Sequence, residues 1–457
     1  MAACLLLSAC TVTRVAPPQP QAAPVRFKEV VKKDAAPEVI LAMPDSWWVL
    51  YKDPVLDDLE RRVVLGNENL KSSVAQLAIA RAALDASNSA KLPTLSAGLT
   101  AIRSGNAQAA AATPNPSNSV ALNANASWEL DVWGRLAAAS QGTNANVQAS
   151  QADLAAARLS VQALLAQTYF SMRAAEAQQT ALDKSVLAYQ RSLDLTQIRL
   201  EAGVAALSDA LQARTQLNTA QAQLAEAAAS RAQLEHAIAV LLGLAPSSFA
   251  LDRTSKLPQA VEVPVSLPST LLQRRPDIAA AQQRVAAAYA QIGMADAAMF
   301  PVLSLNAGAG YSQNSIANLL SMPNPLWSLG ASLAQSIFDG GQHKQASTQA
   351  RAAADQATSA YRQLVLTALQ EVEDNLALTG QLSNEMGYQE HALQAAQKNL
   401  EIVQEQYRAG TVSYLNVVIA QTASLSSEIN LLSVKNRYLA ATNQLLKNIA
   451  GRWDVSE

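Results

Sequence analysis

Several short stretches of the chain alternate apolar and polar residues, the two-residue period that puts successive side chains on opposite faces of a β-strand. The same alternation runs through residues 122–130 and 327–333. In the clearest stretch, Ser, Asn or Gly separates the apolar positions Leu303, Leu305, Ala307, Ala309 and Tyr311. The pattern predicts strands at about 94–104, 120–130, 302–312 and 326–338.

Long segments without proline predict long helices, because proline interrupts a helix interior. All eighteen prolines lie in 17–116, 246–276 or 301–325, so that 117–245 and 326–457 contain none. The first of these segments carries a seam whose positions step by four and three residues: Leu182, Val186, Tyr189, Leu193, Thr196 and Leu200. A period of 3.5 is typical of coiled-coil packing.

The two halves of the chain repeat one design. Pro93 corresponds to Pro301 at an offset of 208 residues, and Gly203 corresponds to Gly410 at an offset of 207. Each copy is predicted to contain a helix, two strands, a long helix and a further helix, which indicates a tandem duplication. The predicted organisation is a signal remnant at 1–10, an extended segment at 11–46, copies at 47–245 and 268–451 joined by a linker at 246–267, and a tail at 452–457.

The strands suggest contact with a membrane. A single two-faced strand usually covers a soluble core, but an unbroken helix from 135 to 202 would be about 100 Å long, far longer than such a core. No window approaches the 18 or so uninterrupted apolar residues of a transmembrane helix. Strands of about ten residues do cross a bilayer at a tilt, and we expect Leu122, Leu303, Leu305 and Leu329 to face lipid.

Four strands would leave two open edges, which lipid does not tolerate, and the smallest single-chain membrane barrels have about eight strands. Several copies must therefore share one barrel. Three copies would supply twelve strands, and the spacing alone leaves two or four copies open. Ser304 and Asn306 would then face a water-filled lumen.

Composition narrows the class of partner. The chain is 50% hydrophobic, 15% charged and 5% aromatic, with a formal net charge of −2. A nearly neutral chain offers no large basic face, so nucleic acid is not an expected partner.

The N-terminal run "LSAC" resembles a bacterial lipobox, and it precedes a Pro-rich segment. It predicts that Cys10 is lipidated and becomes the first residue of the mature protein. If Cys4 is removed with the signal, no disulfide forms.

Longer motifs resemble a known family. Four runs are similar to motifs of TolC-like outer membrane efflux proteins. They are "LLQRRPDIAAAQQRVAAAYAQIGMADAAMFPVLSL" at 271–305, "SWELDVWGRL" at 127–136, "SIFDGGQ" at 336–342 and "QYRAGTVSYLNVV" at 406–418. The resemblance is particularly to the lipid-anchored (OprM/NodT-like) subgroup, which serves resistance-nodulation-division pumps. It implies a mainly α fold with a transmembrane β-barrel. Duplicated helical hairpins would form a trimeric α-helical tunnel below a twelve-stranded barrel, with four strands from each chain.

The same resemblance implies partners and a gate. The partners are two further copies in a homotrimer, a periplasmic adaptor (membrane fusion) protein, an inner membrane pump and the outer membrane lipid. Gly203 and Gly410 are expected to end helices as C-caps at the periplasmic tip, where the tunnel closes. The implied gate residues are Asp209, Tyr407, Val412, Tyr414, Asn416 and Ile419.

Within this gate, the resemblance places Asp209 and Tyr407 where a hydrogen bond can link the two turns; the alternative for Asp209 is a solvated helix residue. Val412 stands where relatives carry an arginine, and Asn416 and Ile419 stand where relatives often carry acids. We therefore expect the gate to depend more on apolar contacts around Val412, Tyr414 and Ile419 than on charge.

No enzyme constellation is predicted. His236, His343 and His391 are scattered in helical sequence without a second ligand at metal spacing, and no cofactor is expected. The predicted function is an exit duct for drugs or other toxic small molecules in a tripartite efflux system. A soluble periplasmic coiled-coil adaptor and a soluble helical enzyme are the alternatives, and neither predicts membrane-length strands.

Overall fold

The computed structural model describes residues 16, 27–29, 46–105, 116–259, 261, 274–315 and 325–449. These residues divide into two compact units. The first contains Ala75–Gln151 and Ala280–Gln363, and it holds all four strands. The second contains Ala152–Ala279, Leu364–Glu457 and Gln21–Val74, as far as these are described. The predicted lipidation site Cys10 and the tail at 452–457 lie outside the described residues.

Seven helices and four strands make up the described chain. The helices are α1 Pro54–Gly66, α2 Glu68–Ser89, α3 Arg135–Glu201, α4 Leu207–Leu241, α5 Pro276–Ala297, α6 Gln342–Arg408 and α7 Tyr414–Ile449. The strands are β1 Thr94–Ser104, β2 Ser117–Leu130, β3 Val302–Gln313 and β4 Pro325–Ala334. Short 3-10 helices occupy Trp47–Tyr51 and Pro246–Ser248.

The bounds of these elements recur at the offset seen in the sequence. Helix α2 begins at Glu68 and α5 begins 208 residues later at Pro276. Helices α3 and α6 are both 67 residues long, and α4 and α7 contain 35 and 36 residues. The boundaries proposed for the linker at 246–267 stay a prediction.

The strands form one antiparallel sheet in the order β1-β2-β3-β4. Its register pairs Leu122 with both Leu99 and Tyr311, and it pairs Ala307 with Leu329. Directly paired residues of an antiparallel sheet point to the same face. The alternating apolar positions of β2 and β3 therefore share one face with Leu95 and Leu99 of β1 and with Trp327 and Leu329 of β4.

The prediction that the fourth strand continues to residue 338 is wrong. Strand β4 ends at Ala334, which pairs with Val302. The next position on β3 would be Pro301, and a proline has no N–H to donate to a ladder. Ile337 and Phe338 lie beyond the strand and are 97% and 92% exposed. The other predicted strands differ from the observed bounds by three residues or fewer.

Both long helices begin with the same aspartate cap. The Asp131 carboxylate accepts hydrogen bonds from the backbone N–H groups of Leu136 and Ala137 at 2.9 and 2.7 Å. At the matching place in the second copy, Asp339 accepts from the N–H groups of Gly341 and His343, both at 2.8 Å. The Asp131 carboxylate thus satisfies two free donors in the first turn of α3, and Asp339 satisfies one in the first turn of α6 together with the N–H of the glycine before it.

The second unit contains a buried aromatic core and a buried ionic network. Trp47, Tyr51 and Phe170 pack in the core with α1 and α3. Nearby, the Glu176 carboxylate accepts from Arg173 at 2.7 Å and from Arg231 at 3.1 Å, with all three side chains less than 10% exposed. Because each charge has an opposite partner, this network ties α3 to α4 without leaving a buried charge uncompensated.

One described helix, α7, is long and apolar enough to cross a membrane by length and composition alone. It is also a packed helix: Tyr414, Val417, Leu439 and Leu446 are each no more than 2% exposed. Core helices meet the same criterion, so this is weak evidence for a membrane span.

Candidate functional site

The sheet presents a bare apolar face. Leu95 and Leu99 on β1 are 80% and 62% exposed, and Trp327 and Leu329 on β4 are 81% and 77% exposed. These residues belong to the face on which the register also places Leu303 and Leu305. A face that covered a soluble core would be buried. The exposed apolar face is therefore better suited to contact with the lipid of a membrane.

The four leucines expected to face lipid lie on this common face. Leu329 is highly exposed because β4 is an edge strand. Leu122, Leu303 and Leu305 are half-buried because they lie on central strands with a neighbour on each side; Leu303, for example, pairs with Leu130 and Leu333. The structure thus brings the four residues together on one face.

The opposite face of the sheet is polar along the middle of the strands and consists there mostly of small residues, whereas Ile102, Val302 and Leu326 lie on it near the strand ends. Ser304 pairs with Glu129 and Ser332, and Asn306 pairs with Ser127 and Gly330. Small hydroxyl, amide and glycine positions give this face a surface that water can wet. The two faces therefore suit the two solvents on either side of a barrel wall.

The long helices of each copy are joined by closely similar turns. Gly203 and Gly410 have φ of 74° and 78°, a left-handed conformation that glycine adopts without strain. In the first turn the N–H of Val204 donates to the Arg199 carbonyl, and in the second the N–H of Thr411 donates to the Gln406 carbonyl, both at 2.9 Å. This is the helix-ending pattern expected of C-cap glycines.

A hydrophobic cluster joins the first hairpin, α3 with α4, to the second hairpin, α6 with α7. We call it the hairpin cluster. Its buried members are Leu182, Tyr189, Leu193, Ala213, Leu217, Ala220, Ala227, Tyr407, Tyr414, Val417 and Leu425. Three residues of the sequence-predicted seam, Leu182, Tyr189 and Leu193, are among them, so the seam is an apolar contact surface.

The predicted gate residues occupy different environments near the second turn. Tyr407 and Tyr414 are buried and meet edge to face, with ring centroids 5.4 Å apart. Val412 packs on the hairpin cluster from a half-buried position. Asn416 is exposed and its amide donates to the Ser413 hydroxyl at 3.1 Å, whereas Ile419 is 58% exposed.

The predicted hydrogen bond between Asp209 and Tyr407 is not formed in this chain. The Tyr407 hydroxyl is buried and has no hydrogen-bond partner among the described residues. Its ring is held instead by Tyr414 on one side and by the Arg199 guanidinium, 4.6 Å from the ring centroid. The Tyr407 ring is thus held by packing, while the Asp209 carboxylate is half-buried on α4.

Burial also raises the pKa of a tyrosine in the second turn, whose phenol is neutral at physiological pH even at its ordinary pKa. Burial of Tyr414 raises the pKa of its phenol to about 12, with smaller contributions from Tyr407, Tyr189 and Asp209. The Tyr414 phenol therefore lies neutral among aromatic and aliphatic side chains.

Sequence reasoning missed Arg199. Its guanidinium donates to the Tyr407 carbonyl at 2.9 Å and to the Arg408 carbonyl at 3.3 Å, which lie in the last turn of α6. A cation in the last turn of a helix is a recognisable sequence signal. That signal points to the end of its own helix, however, and gives no hint of carbonyls more than 200 residues away.

Comparisons with known proteins agree on the family. The model of the outer membrane efflux protein family matches residues 61–244 and 267–451. The pyoverdine export outer membrane protein OpmQ of Pseudomonas aeruginosa is 28% identical over 461 residues, covering 99% of this chain and 96% of the relative. The probable efflux pump outer membrane protein TtgC of Pseudomonas putida is 28% identical, covering 91% and 86%.

Among solved structures, the outer membrane channel OprN superposes with a TM-score of 0.88 at 27% identity, covering 97% of this chain and 99% of that one. These findings confirm the predicted TolC-like fold class, the efflux function and the outer membrane localisation. Since the family model matches far more than half of its length, the chain belongs to the outer membrane efflux protein family.

Proposed function

We propose that the chain is the exit duct of a tripartite efflux system. It works as a homotrimer and docks a periplasmic adaptor protein, which links it to an inner membrane pump. The observation that carries the proposal is the four-stranded sheet with one bare apolar face and one polar face. The alternative considered from the sequence, a soluble adaptor, is not expected to contain a sheet with an exposed apolar face.

The strand count supports a shared barrel. Strands β1 and β4 are the edges of the sheet, and open edges are not stable in lipid. Because the chain contributes an even number of antiparallel strands, β4 of one copy runs antiparallel to β1 of the next. Three copies give twelve strands, which lies within the range of outer membrane barrels.

The cargo is proposed to be drugs or other toxic small molecules. The relatives named above are described as a pyoverdine exporter and an efflux pump component, which supports export of small compounds. A polar face of Ser, Asn and Gly offers few groups for tight recognition, so selection would rest with the pump. The pump would also supply the energy.

Lipidation of Cys10 is part of the proposal and rests on the lipobox-like "LSAC" run. Two acyl chains suffice for stable anchoring, whereas one is marginal. We expect Cys10→Ser to abolish labelling of the protein by radioactive palmitate. Unchanged labelling would show that the anchor is elsewhere or absent.

Closure is proposed to occur at the hairpin turns. Closure would depend mainly on apolar contacts around the predicted gate residues Val412, Tyr414 and Ile419, where the buried Tyr414 holds the turn in place and the exposed Ile419 meets the duct, and Asp209 and Asn416 would contribute little. The buried pair Tyr407 and Tyr414 supports this proposal. So does the exposed side chain of Ile419, which is free to meet its counterparts in the other two copies.

The barrel is tested by a matched pair of substitutions on β4. Leu329→Arg would place a charge on the lipid face, at a cost of about 2–4 kcal/mol near mid-membrane. Ser328→Arg places the same charge one residue away, on the polar face. We expect only Leu329→Arg to reduce the yield of heat-resistant trimers and to fail to restore drug resistance when it is expressed in the gene-deletion strain.

Two results would contradict this proposal. Equal sensitivity of both positions would argue that the sheet is not a barrel wall. Wild-type resistance of the gene-deletion strain across a broad panel of toxic compounds would remove the efflux role. Co-purification of an adaptor and an inner membrane pump with the wild-type protein tests the tripartite assembly.

A further inference from the structure

We propose that Arg199 is the latch that fastens the turn of the second hairpin to the first hairpin and keeps the duct closed. The inference rests on the proposed function, since it assigns a positioning role within the proposed gate. It concerns a residue of α3 that lies outside the gate implied by sequence resemblance.

The geometry joins one side chain to three groups on the other hairpin. Arg199 lies in the last turn of α3. Its Nη1 donates to the Tyr407 carbonyl at 2.9 Å and its Nη2 donates to the Arg408 carbonyl at 3.3 Å. The guanidinium plane also lies over the Tyr407 ring, 4.6 Å from the centroid. The planar fork of arginine suits this combination better than the point charge of lysine does.

The acceptors are the last carbonyls of α6, which lack α-helical partners and carry partial negative charge. The Tyr407 carbonyl also accepts from the Gly410 N–H at 3.0 Å, and its oxygen has a second lone pair for Arg199. The Arg199 cation therefore interacts both with two specific oxygens and with the C-terminal end of α6. Hydrogen bonds with a charged donor are stronger than neutral ones, and the half-buried position of Arg199 reduces screening by water.

The other polar contacts between the hairpins near the turns are neutral. Within the described chain, the Gln216 amide donates to the Thr422 hydroxyl and the Gln421 amide donates to the Ser192 hydroxyl, both at 3.1 Å. Arg199 thus supplies the charged contact in a region otherwise held by apolar packing and neutral hydrogen bonds. Replacing Arg199 would remove this charged contact and leave the apolar packing of the hairpin cluster in place.

The duplication provides an internal comparison. At the offset of 207 residues, the counterpart of Arg199 in the second copy is Gln406, which is exposed. An equivalent contact from the second hairpin to a neighbouring copy would therefore lack the cation. The hydrogen bonds of Arg199 join two hairpins of the same chain. Moving the second hairpin away from the first therefore requires these hydrogen bonds to break.

The test is the conductance of purified trimers in planar bilayers. We expect Arg199→Gln to raise the open fraction about tenfold, equivalent to about 1.4 kcal/mol. Arg199→Lys should give an intermediate increase because lysine keeps the charge but not the fork. The matched control is Arg191→Gln, which removes the same charge from an exposed position on α3 that forms no hydrogen bond or ion pair with the described residues.

Native gels first establish that Arg199→Gln and Arg191→Gln form trimers in equal yield, and their conductances are then compared. If Arg199→Gln assembles poorly, the conductance of Arg199→Lys is used for the comparison. Wild-type conductance of Arg199→Lys and of assembled Arg199→Gln would overturn the latch. The same variants are expressed in the gene-deletion strain. If the deletion causes drug sensitivity while Arg199→Gln and Arg191→Gln behave alike, only the latch fails. If the deletion has no effect, the proposed function fails.

Discussion

The two hairpin turns share a backbone and differ in what they bury. Both end a long helix with a left-handed glycine and the same pair of backbone hydrogen bonds. In the second turn, Tyr414 opens α7 with only 1% of its surface exposed, whereas its counterpart Leu207 opens α4 with 62% exposed. One duplicated scaffold therefore supports two different surfaces.

This difference shows that the two copies share their backbone conformation at the turns but not their side-chain packing. Glycines and capping aspartates fix the local backbone, and both copies retain them. Side-chain packing depends on the neighbouring element, and only the second turn offers buried aromatic rings to α3. In the proposed gate, the second turn is therefore held by buried packing, whereas the first turn exposes its apolar residue Leu207.

The largest expected effect is at Tyr414. Removing a fully buried aromatic ring costs about 3–5 kcal/mol, so Tyr414→Ala should loosen the second turn and speed its amide hydrogen exchange. Leu207→Ala, at the matching exposed position, should cost about 0.5 kcal/mol or less. Exchange measured by mass spectrometry on purified trimers reports both turns at once. Equal increases in amide exchange for Tyr414→Ala and Leu207→Ala would contradict the proposed difference between the two turns.

A second contrast between the copies concerns Glu60 on α1. At the offset of 208 its place in the second copy falls on Pro268, so only the first copy carries a carboxyl group there. Glu60 is fully buried and neither carboxyl oxygen has a partner among the described residues. Burial, helped by the Asp57 carboxylate, raises the pKa of Glu60 to about 9. The carboxyl group is therefore protonated in the folded protein at neutral pH.

The folded state then binds a proton that the unfolded state releases above its ordinary pKa of 4.5. Stability is highest below pH 4.5 as far as this group is concerned. It should fall by about 1.4 kcal/mol per pH unit as the pH rises toward 9. Glu60→Gln should remove this slope, as measured by thermal midpoints from pH 5 to pH 8. A wild-type slope that matches that of Glu60→Gln would show that Glu60 ionises freely.

The local elements were predictable because short-range rules determine them. Strand β1 matches its predicted bounds of 94–104 since Pro93 precedes a clean alternation. The end of β4 was not predictable from its own residues, because Pro301 on the partner strand stops the ladder. Arg199 and the orientation of Tyr407 were missed for a related reason: both depend on contacts between segments about 208 residues apart.

A smaller effect is expected at the shared caps. Asp131→Ala and Asp339→Ala each remove a carboxylate that accepts two backbone N–H groups at the start of a long helix. Because both copies use the same device, the two variants should lower the thermal midpoint by small and similar amounts. Asp→Asn at each position should retain part of the cap, because the amide keeps one acceptor oxygen and its NH2 group cannot accept the second N–H. A large loss at one position alone would show that the copies start their helices differently.

The smallest effect is expected at the Tyr407 hydroxyl. It is buried without a partner among the described residues, so its removal leaves no acceptor or donor newly unpaired. Tyr407→Phe should therefore keep wild-type stability and conductance, while Tyr407→Ala should disturb the packing with Tyr414. An open channel in Tyr407→Phe would show that the hydroxyl bonds to a neighbouring copy in the trimer.

The most direct test of an apolar gate is the single-channel conductance of purified wild-type, Ile419→Ser and Asp209→Ala trimers in planar bilayers. We predict a small wild-type conductance, a clear increase in Ile419→Ser, where a polar hydroxyl replaces the exposed isoleucine, and a modest change in Asp209→Ala. A fully open Asp209→Ala channel beside an unchanged Ile419→Ser channel would contradict the account, because closure would then depend on charge.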